Sequence, residues 1–78
     1  MKFNLQKLRY ERLSRKIPMK DMGEAIGVGR TAYYKREKGD IKISVDEFSK
    51  FLDVLGISQS KAGIFFTNDV PKRELVNR

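Results

Sequence analysis

Hydrophobic positions along this 78-residue chain recur in short helical groups separated by turn residues. Leu5, Leu8 and Leu13 can share one flank of a first helix over residues 4–16, with Lys7, Arg9, Arg12, Arg15 and Lys16 filling the polar remainder. Ile17-Pro18 ends it, because the residue before a proline is pushed out of helical geometry. Pro18 then suits the first turn of a second helix, where a missing N–H is no loss. Met22 and Ile26, four apart, give that helix a short apolar stripe, and Gly27 supplies a left-handed cap. A third helix opens at Gly29 or Arg30, runs to Lys38 and closes at Gly39 in the same way.

Residues 40–43 alternate polar and apolar in a loop. Ser44 with Glu47 three residues later is a capping box. Behind it Phe48, Phe51, Leu52 and Leu55 recur at i, i+3, i+4 and i+7, the clearest amphipathic helix in the chain. Gly56 ends it, and Ser58 caps a short fifth helix through Phe65. Residues 67–78 are polar, broken by Pro71, and read as a loose tail. No strand pattern persists. The expected fold is all-α, a compact five-helix domain over residues 1–66 followed by the tail.

Chemistry concentrates in residues 18–38. On a helical wheel at about 100° per residue, Arg30, Thr31, Tyr34, Lys35 and Lys38 share one face of the third helix. Ala32, Tyr33 and Arg36 fall on the other, with Tyr33 directed into the core. The first face is made entirely of hydrogen-bonding groups. Arg can grip guanine bidentately, Thr and Tyr offer hydroxyls, Lys is a point charge, and such a helix fits the major groove of B-DNA. Val28 can plug the core between the second and third helices, and Gly23 permits close approach. A short helix, a glycine turn and a polar second helix make a helix-turn-helix pattern.

Charge sharpens this picture. The net charge is +7, from 17 Lys/Arg against 10 Asp/Glu. Residues 1–42 hold twelve Lys/Arg and five Asp/Glu, whereas residues 43–78 hold five of each, so the whole excess lies in the N-terminal half. That asymmetry fits a polyanionic partner, most simply nucleic acid. The chain has no Cys and no His, which excludes disulfides, thiolate or imidazole metal sites and histidine acid–base chemistry. The carboxylates are scattered, no nucleophile–base pair is present, and Gly-Val-Gly-Arg-Thr follows a helix, not a strand. The expectation is a non-enzymatic protein without a cofactor. No apolar run reaches membrane-spanning length and no secretory signal opens the chain, so a soluble cytoplasmic protein is expected.

The stretch resembles the Cro/lambda-repressor-like (XRE-type) helix-turn-helix family over residues 5–66. The resemblance rests on Ile26-Gly27-Val28 in the turn, Arg30-Thr31 opening the third helix, Lys35-Arg36-Glu37-Lys38-Gly39 closing it, and Leu55-Gly56-Ile57-Ser58 further on. Small phage and mobile-element regulators of Gram-positive bacteria look similar, including an ending like Ile64 to Val70. The resemblance implies that Arg30, Thr31, Tyr34 and Lys35 read bases, and that Lys20, Lys38 and Lys42 meet phosphates. It also implies a structural ion pair between Arg12 and Glu37. Met19 stands where many relatives carry a polar residue, Gly29 replaces the usual Ser or Thr cap, and Arg36 takes a commonly apolar position. The Arg36 stem is expected along the core edge with its head in water.

The implied function is a sequence-specific DNA-binding transcriptional regulator. One recognition helix reads few base pairs, so a homodimer on a palindromic operator is expected, with Phe65 and Phe66 as candidates for its surface. The alternative is a protein-binding antirepressor or antitoxin-like module that engages a partner repressor. Larger relatives carry a second domain; a stand-alone regulator of this length is expected to work without one.

Overall fold

The computed structural model describes residues 2–67. The tail assigned to residues 67–78 therefore lies, beyond Thr67, outside the described residues. The fold is all-α. In chain order it comprises β1 (Lys2–Phe3), α1 (Leu5–Ser14), α2 (Met19–Ala25), α3 (Arg30–Glu37), α4 (Val45–Leu55), a 3-10 helix (Gln59–Phe65) and β2 (Phe66–Thr67).

Local chemistry explains many boundaries, although Gly29 and Ser58 start α3 and the 3-10 helix without a side-chain cap bond. The Asn4 side chain accepts from the Lys7 amide at 3.0 Å and starts α1. Ser44 and Glu47 form both halves of the capping box that starts α4. Each long helix then closes with the same pair of backbone bonds. After α2, Gly27 N donates to Glu24 O and Val28 N to Gly23 O, with Gly27 at φ +79°. After α1 the left-handed position falls on Lys16, at φ +58°, where a side chain costs on the order of 1 kcal/mol. Pro18 precedes α2 as its cap residue.

The core is one cluster. Leu8, Met22, Tyr33, Phe51 and Phe65 are completely shielded from solvent, and Phe48, Leu52, Leu55 and Ile57 complete it. Each fully buried apolar side chain contributes about 1.5–3 kcal/mol. The four α4 positions selected by periodicity are all in this cluster. Tyr33 meets Phe51 edge-on at 5.3 Å, which seats α3 on α4. The expected fifth helix is a seven-residue 3-10 helix, wound more tightly than an α-helix.

Four expectations need correction. Leu13 does not share the buried flank of α1; it is 48% exposed, because Leu8 alone points squarely into the core. Val28 is only half-buried and lies outside the core cluster. Phe65 cannot be a dimer surface, since it is fully buried between Phe3 and Phe48. A strand pair also exists: Lys2 pairs with Thr67 and Phe3 with Phe66, antiparallel, reinforced by Asn4 N donating to Phe65 O at 2.6 Å. Two residues per strand are too few to show a period-2 pattern.

Candidate nucleic-acid interface

The helix–turn–helix pair is built around Gly23. A Cβ placed there would sit 2.8 Å from Val28 O and 2.9 Å from Gly29 O. The turn backbone therefore lies directly on α2, and only a glycine allows it. That contact sets how α3 leaves the turn.

α3 then divides its residues cleanly. Tyr33 and Glu37, one turn apart, face the interior. Arg30, Thr31, Tyr34 and Lys35 are exposed; Arg30 and Tyr34 border the stripe that carries Glu37, while Thr31 and Lys35 point away from it. Tyr34 keeps 44% of its surface in solvent, and the Lys38 ammonium stands 5.3 Å from its ring centroid. Lys38 also pairs with Asp40 at 3.2 Å. Lys20 is exposed on α2 and pairs loosely with Glu24 at 3.4 Å, a contact worth little in water. Lys42 is exposed in the segment between α3 and α4.

Arg12 and Glu37 meet in the interior. Arg12 Nε donates to Glu37 Oε2 at 2.8 Å, Nη2 donates to Oε1 at 3.1 Å, and Nη1 donates to Ile17 O at 3.0 Å. Tyr33 Oη donates to Glu37 Oε2 at 2.6 Å. The side chains of the pair are only 6% and 3% exposed. Burial pushes the Glu37 carboxyl up, but the hydrogen bonds from Arg12 and Tyr33 outweigh it and hold the carboxyl below its usual range. Burial, with the Glu37 carboxylate alongside, pushes the Tyr33 hydroxyl well up, so it stays a donor. This network ties α1 to the last turn of α3.

Arg36 departs from expectation. Its head is not in water: Nε and Nη2 grip the two oxygens of Glu47 at 3.1 and 3.2 Å, and Nη1 caps Ala32 O at 3.0 Å. Glu47 is free to accept because the capping box uses only part of its carboxylate. The Arg36 hydrogen bonds hold the Glu47 carboxyl below its usual range.

A cleft of about 670 Å³ opens between α1, the start of α2 and the outer face of α3. Arg9, Arg30, Tyr34 and Lys38 stand around it, the Arg12–Glu37 pair is also in its lining, and Leu13, Pro18 and Met19 form its apolar side. Arg9 was missed in the sequence. Its signal was there, one turn before Arg12 on the same stripe of α1. Among the described residues, no carboxylate lies within ion-pair distance of Arg9, Arg30, Lys35 or Lys42. By contrast Lys7, Arg12, Arg15 and Arg36 are all paired. Lys16 and Lys61 are likewise without an ion pair among the described residues, so what sets Arg9, Arg30, Lys35 and Lys42 apart is their place on and beside α3.

The family comparison agrees with this geometry. The model of the helix-turn-helix family matches residues 8–58. The chain belongs to that family. The matched span starts at Leu8 in α1 and ends just past α4, so it includes the glycine turn, α3 and the Arg36–Glu47 pair. The XRE-type, Cro/lambda-repressor-like character read from the turn and from both ends of α3 is supported. This helix-turn-helix protein is a DNA-binding regulator in general type. No curated protein and no solved structure matches the chain significantly. Among the described residues, no helix is long and apolar enough to cross a membrane.

Proposed function

We propose that this helix-turn-helix protein is a sequence-specific transcriptional regulator whose α3 reads the major groove of a double-stranded DNA operator. The observation that carries the reading is the division of α3. Tyr33 and Glu37 are locked inward, while Arg30, Thr31, Tyr34 and Lys35 stay exposed to solvent, Arg30 and Lys35 without an ion-pair partner among the described residues. Arg30 and Thr31 open the helix, where a recognition helix presents its first residues to base edges. Lys20, Lys38 and Lys42 lie on the elements flanking α3 and serve the phosphates, which supply most of the affinity but no sequence information. A single helix of this length covers few base pairs. A homodimer on half-sites about one helical turn apart follows, with Phe66, 37% exposed, as the remaining candidate for its surface.

A second reading has one observation in its favour. The exposed Leu13 and half-buried Met19 put apolar surface inside a cationic cleft, which also suits an antirepressor-like contact with another regulator. Salt separates the two, because phosphate contacts weaken steeply with ionic strength whereas an apolar protein contact does not.

The test is fluorescence anisotropy on a randomised duplex pool between about 50 and 200 mM salt, followed by sequencing of the bound fraction. Wild type should enrich a short palindrome. Arg30→Ala should relax one position per half-site at a cost of about 1–3 kcal/mol. No enrichment at any salt refutes operator reading and turns attention to the protein partner.

A further inference from the structure

Lys42 sits in a segment that backbone bonding alone does not fix. The chain leaving α3 is held back onto the helix through Gly39 N to Arg36 O at 3.2 Å, Asp40 N to Lys35 O at 2.8 Å and Ile41 N to Lys35 O at 3.2 Å. The next anchored residue is Ser44, the cap of α4. Lys42 and Ile43 lie between these anchors and make no backbone–backbone hydrogen bond among the described residues. Two side-chain features span the gap. Ile43 packs half-buried against the core. Arg36, in the last turn of α3, grips Glu47, in the first turn of α4.

Glu47 holds both sides of the gap at once. Its Oε1 accepts from Arg36 Nε at 3.1 Å and from the Ser44 amide at 3.3 Å, and its Oε2 accepts from Arg36 Nη2 at 3.2 Å. Arg36 is itself fixed by Ala32 O. The pair is 13% and 23% exposed, so it is shielded from much of the salt screening that weakens surface pairs. A bidentate Arg–carboxylate pair fixes orientation as well as distance.

We propose that Arg36 and Glu47 are positioning residues for DNA binding: their ion pair fixes the offset between α3 and α4 and so sets where Lys42 meets the phosphate backbone. This rests on the DNA-reading function above. Neither residue is required to touch DNA. Their effect on affinity runs through Lys42.

Glu47→Gln gives the sharpest test, because charge and position predict opposite signs. Glutamine still serves in a capping box, but it offers the Arg36 guanidinium one acceptor where the carboxylate offers two. The substitution also adds one unit of positive charge to the protein, which by electrostatics alone tightens DNA binding. The measurement is duplex affinity by anisotropy on the selected operator, across about 50 to 200 mM salt, for wild type, Lys42→Ala, Glu47→Gln and the double variant. Arg36→Met, alone and with Lys42→Ala, attacks the pair from its other side. Thermal melts in the same buffer confirm folding.

Lys42→Ala should cost wild type about three- to eightfold near 0.1 M salt and lower the salt slope by about 0.9, the scale of one phosphate contact. Glu47→Gln should produce a similar loss despite its added charge. Lys42→Ala should then cost almost nothing further in the Glu47→Gln and Arg36→Met backgrounds. A partly unfolded variant cannot mimic this, since a smaller folded fraction scales both members of each pair equally. The proposal is overturned if Glu47→Gln binds as tightly as wild type or tighter, or if Lys42→Ala costs the same in every background. It is equally overturned if Lys42→Ala is silent in wild type. Failure of the underlying function looks different: wild type itself then shows no salt-dependent duplex binding.

Discussion

Arg12→Met removes three hydrogen bonds at once, two to Glu37 and one to Ile17 O. The methionine fills much of the same volume, so the main effect is electrical. Glu37 is left 3% exposed with Tyr33 as its remaining hydrogen-bond donor. Breaking a buried pair from one side costs about 3–5 kcal/mol. A chain of this size has about 4–12 kcal/mol in total, so the variant should sit near the edge of folding at neutral pH. The assay is urea denaturation followed by circular dichroism, at neutral pH and again in acid. In wild type the Glu37 carboxyl is depressed below its unfolded value. Its contribution is therefore fully present above the unfolded value, about 4.3, and is lost as pH falls through the folded value. The gap between wild type and Arg12→Met should accordingly be widest at neutral pH and narrow in acid, where Glu37 is neutral in both. Adding Glu37→Gln to Arg12→Met removes the stranded charge and leaves Tyr33 an acceptor. The double variant should be no less stable than Arg12→Met alone, with a coupling of about 0.5–3 kcal/mol. A loss under about 1 kcal/mol for Arg12→Met, the range of an exposed pair, or strict additivity in the double variant, refutes the reasoning.

Gly23→Ala should destabilise by about 1–3 kcal/mol in the same urea assay, because its Cβ would press on two backbone oxygens of the turn; an ordinary mid-helix glycine would instead gain about 0.5–1 kcal/mol, so the sign decides. Phe65→Ala should cost about 3–5 kcal/mol as a core truncation. Phe66→Ala should cost clearly less, and sedimentation of the two shows whether Phe66 matters to self-association. Ser44→Ala removes the side-chain half of a capping box and should cost about 1 kcal/mol by thermal melt.

Most helices here were legible because their determinants are local. The i, i+3, i+4, i+7 spacing of Phe48, Phe51, Leu52 and Leu55 needs no partner to be read, and all four are buried. Ser44, Gly27, Gly39 and Gly56 mark boundaries through bonds to residues three positions away, so those ends could also be read from the chain, whereas Asn4, taken as part of the first helix, is its cap. The two faces of α3 followed from its wheel, and Tyr33 turned inward as expected.

What escaped that reading depends on contacts between distant residues. Phe3 and Phe66 pair across almost the whole domain, and two-residue strands carry no periodic signal of their own. Phe65 and Phe66 are neighbours with the same side chain, and both rings meet Phe3 and Phe48; only the tertiary packing buries Phe65 completely and leaves Phe66 37% exposed. Leu13 looks like a core leucine until α1 rotates Leu8 inward and leaves it beside a cationic cleft. Arg36 looks like a surface cation until α4 brings Glu47 within reach. Helical periodicity specifies which residues share a face, and that information is complete within a few turns of chain. Which face meets which neighbour, and so which charges are cancelled and which remain for a partner, is a property of how the helices pack.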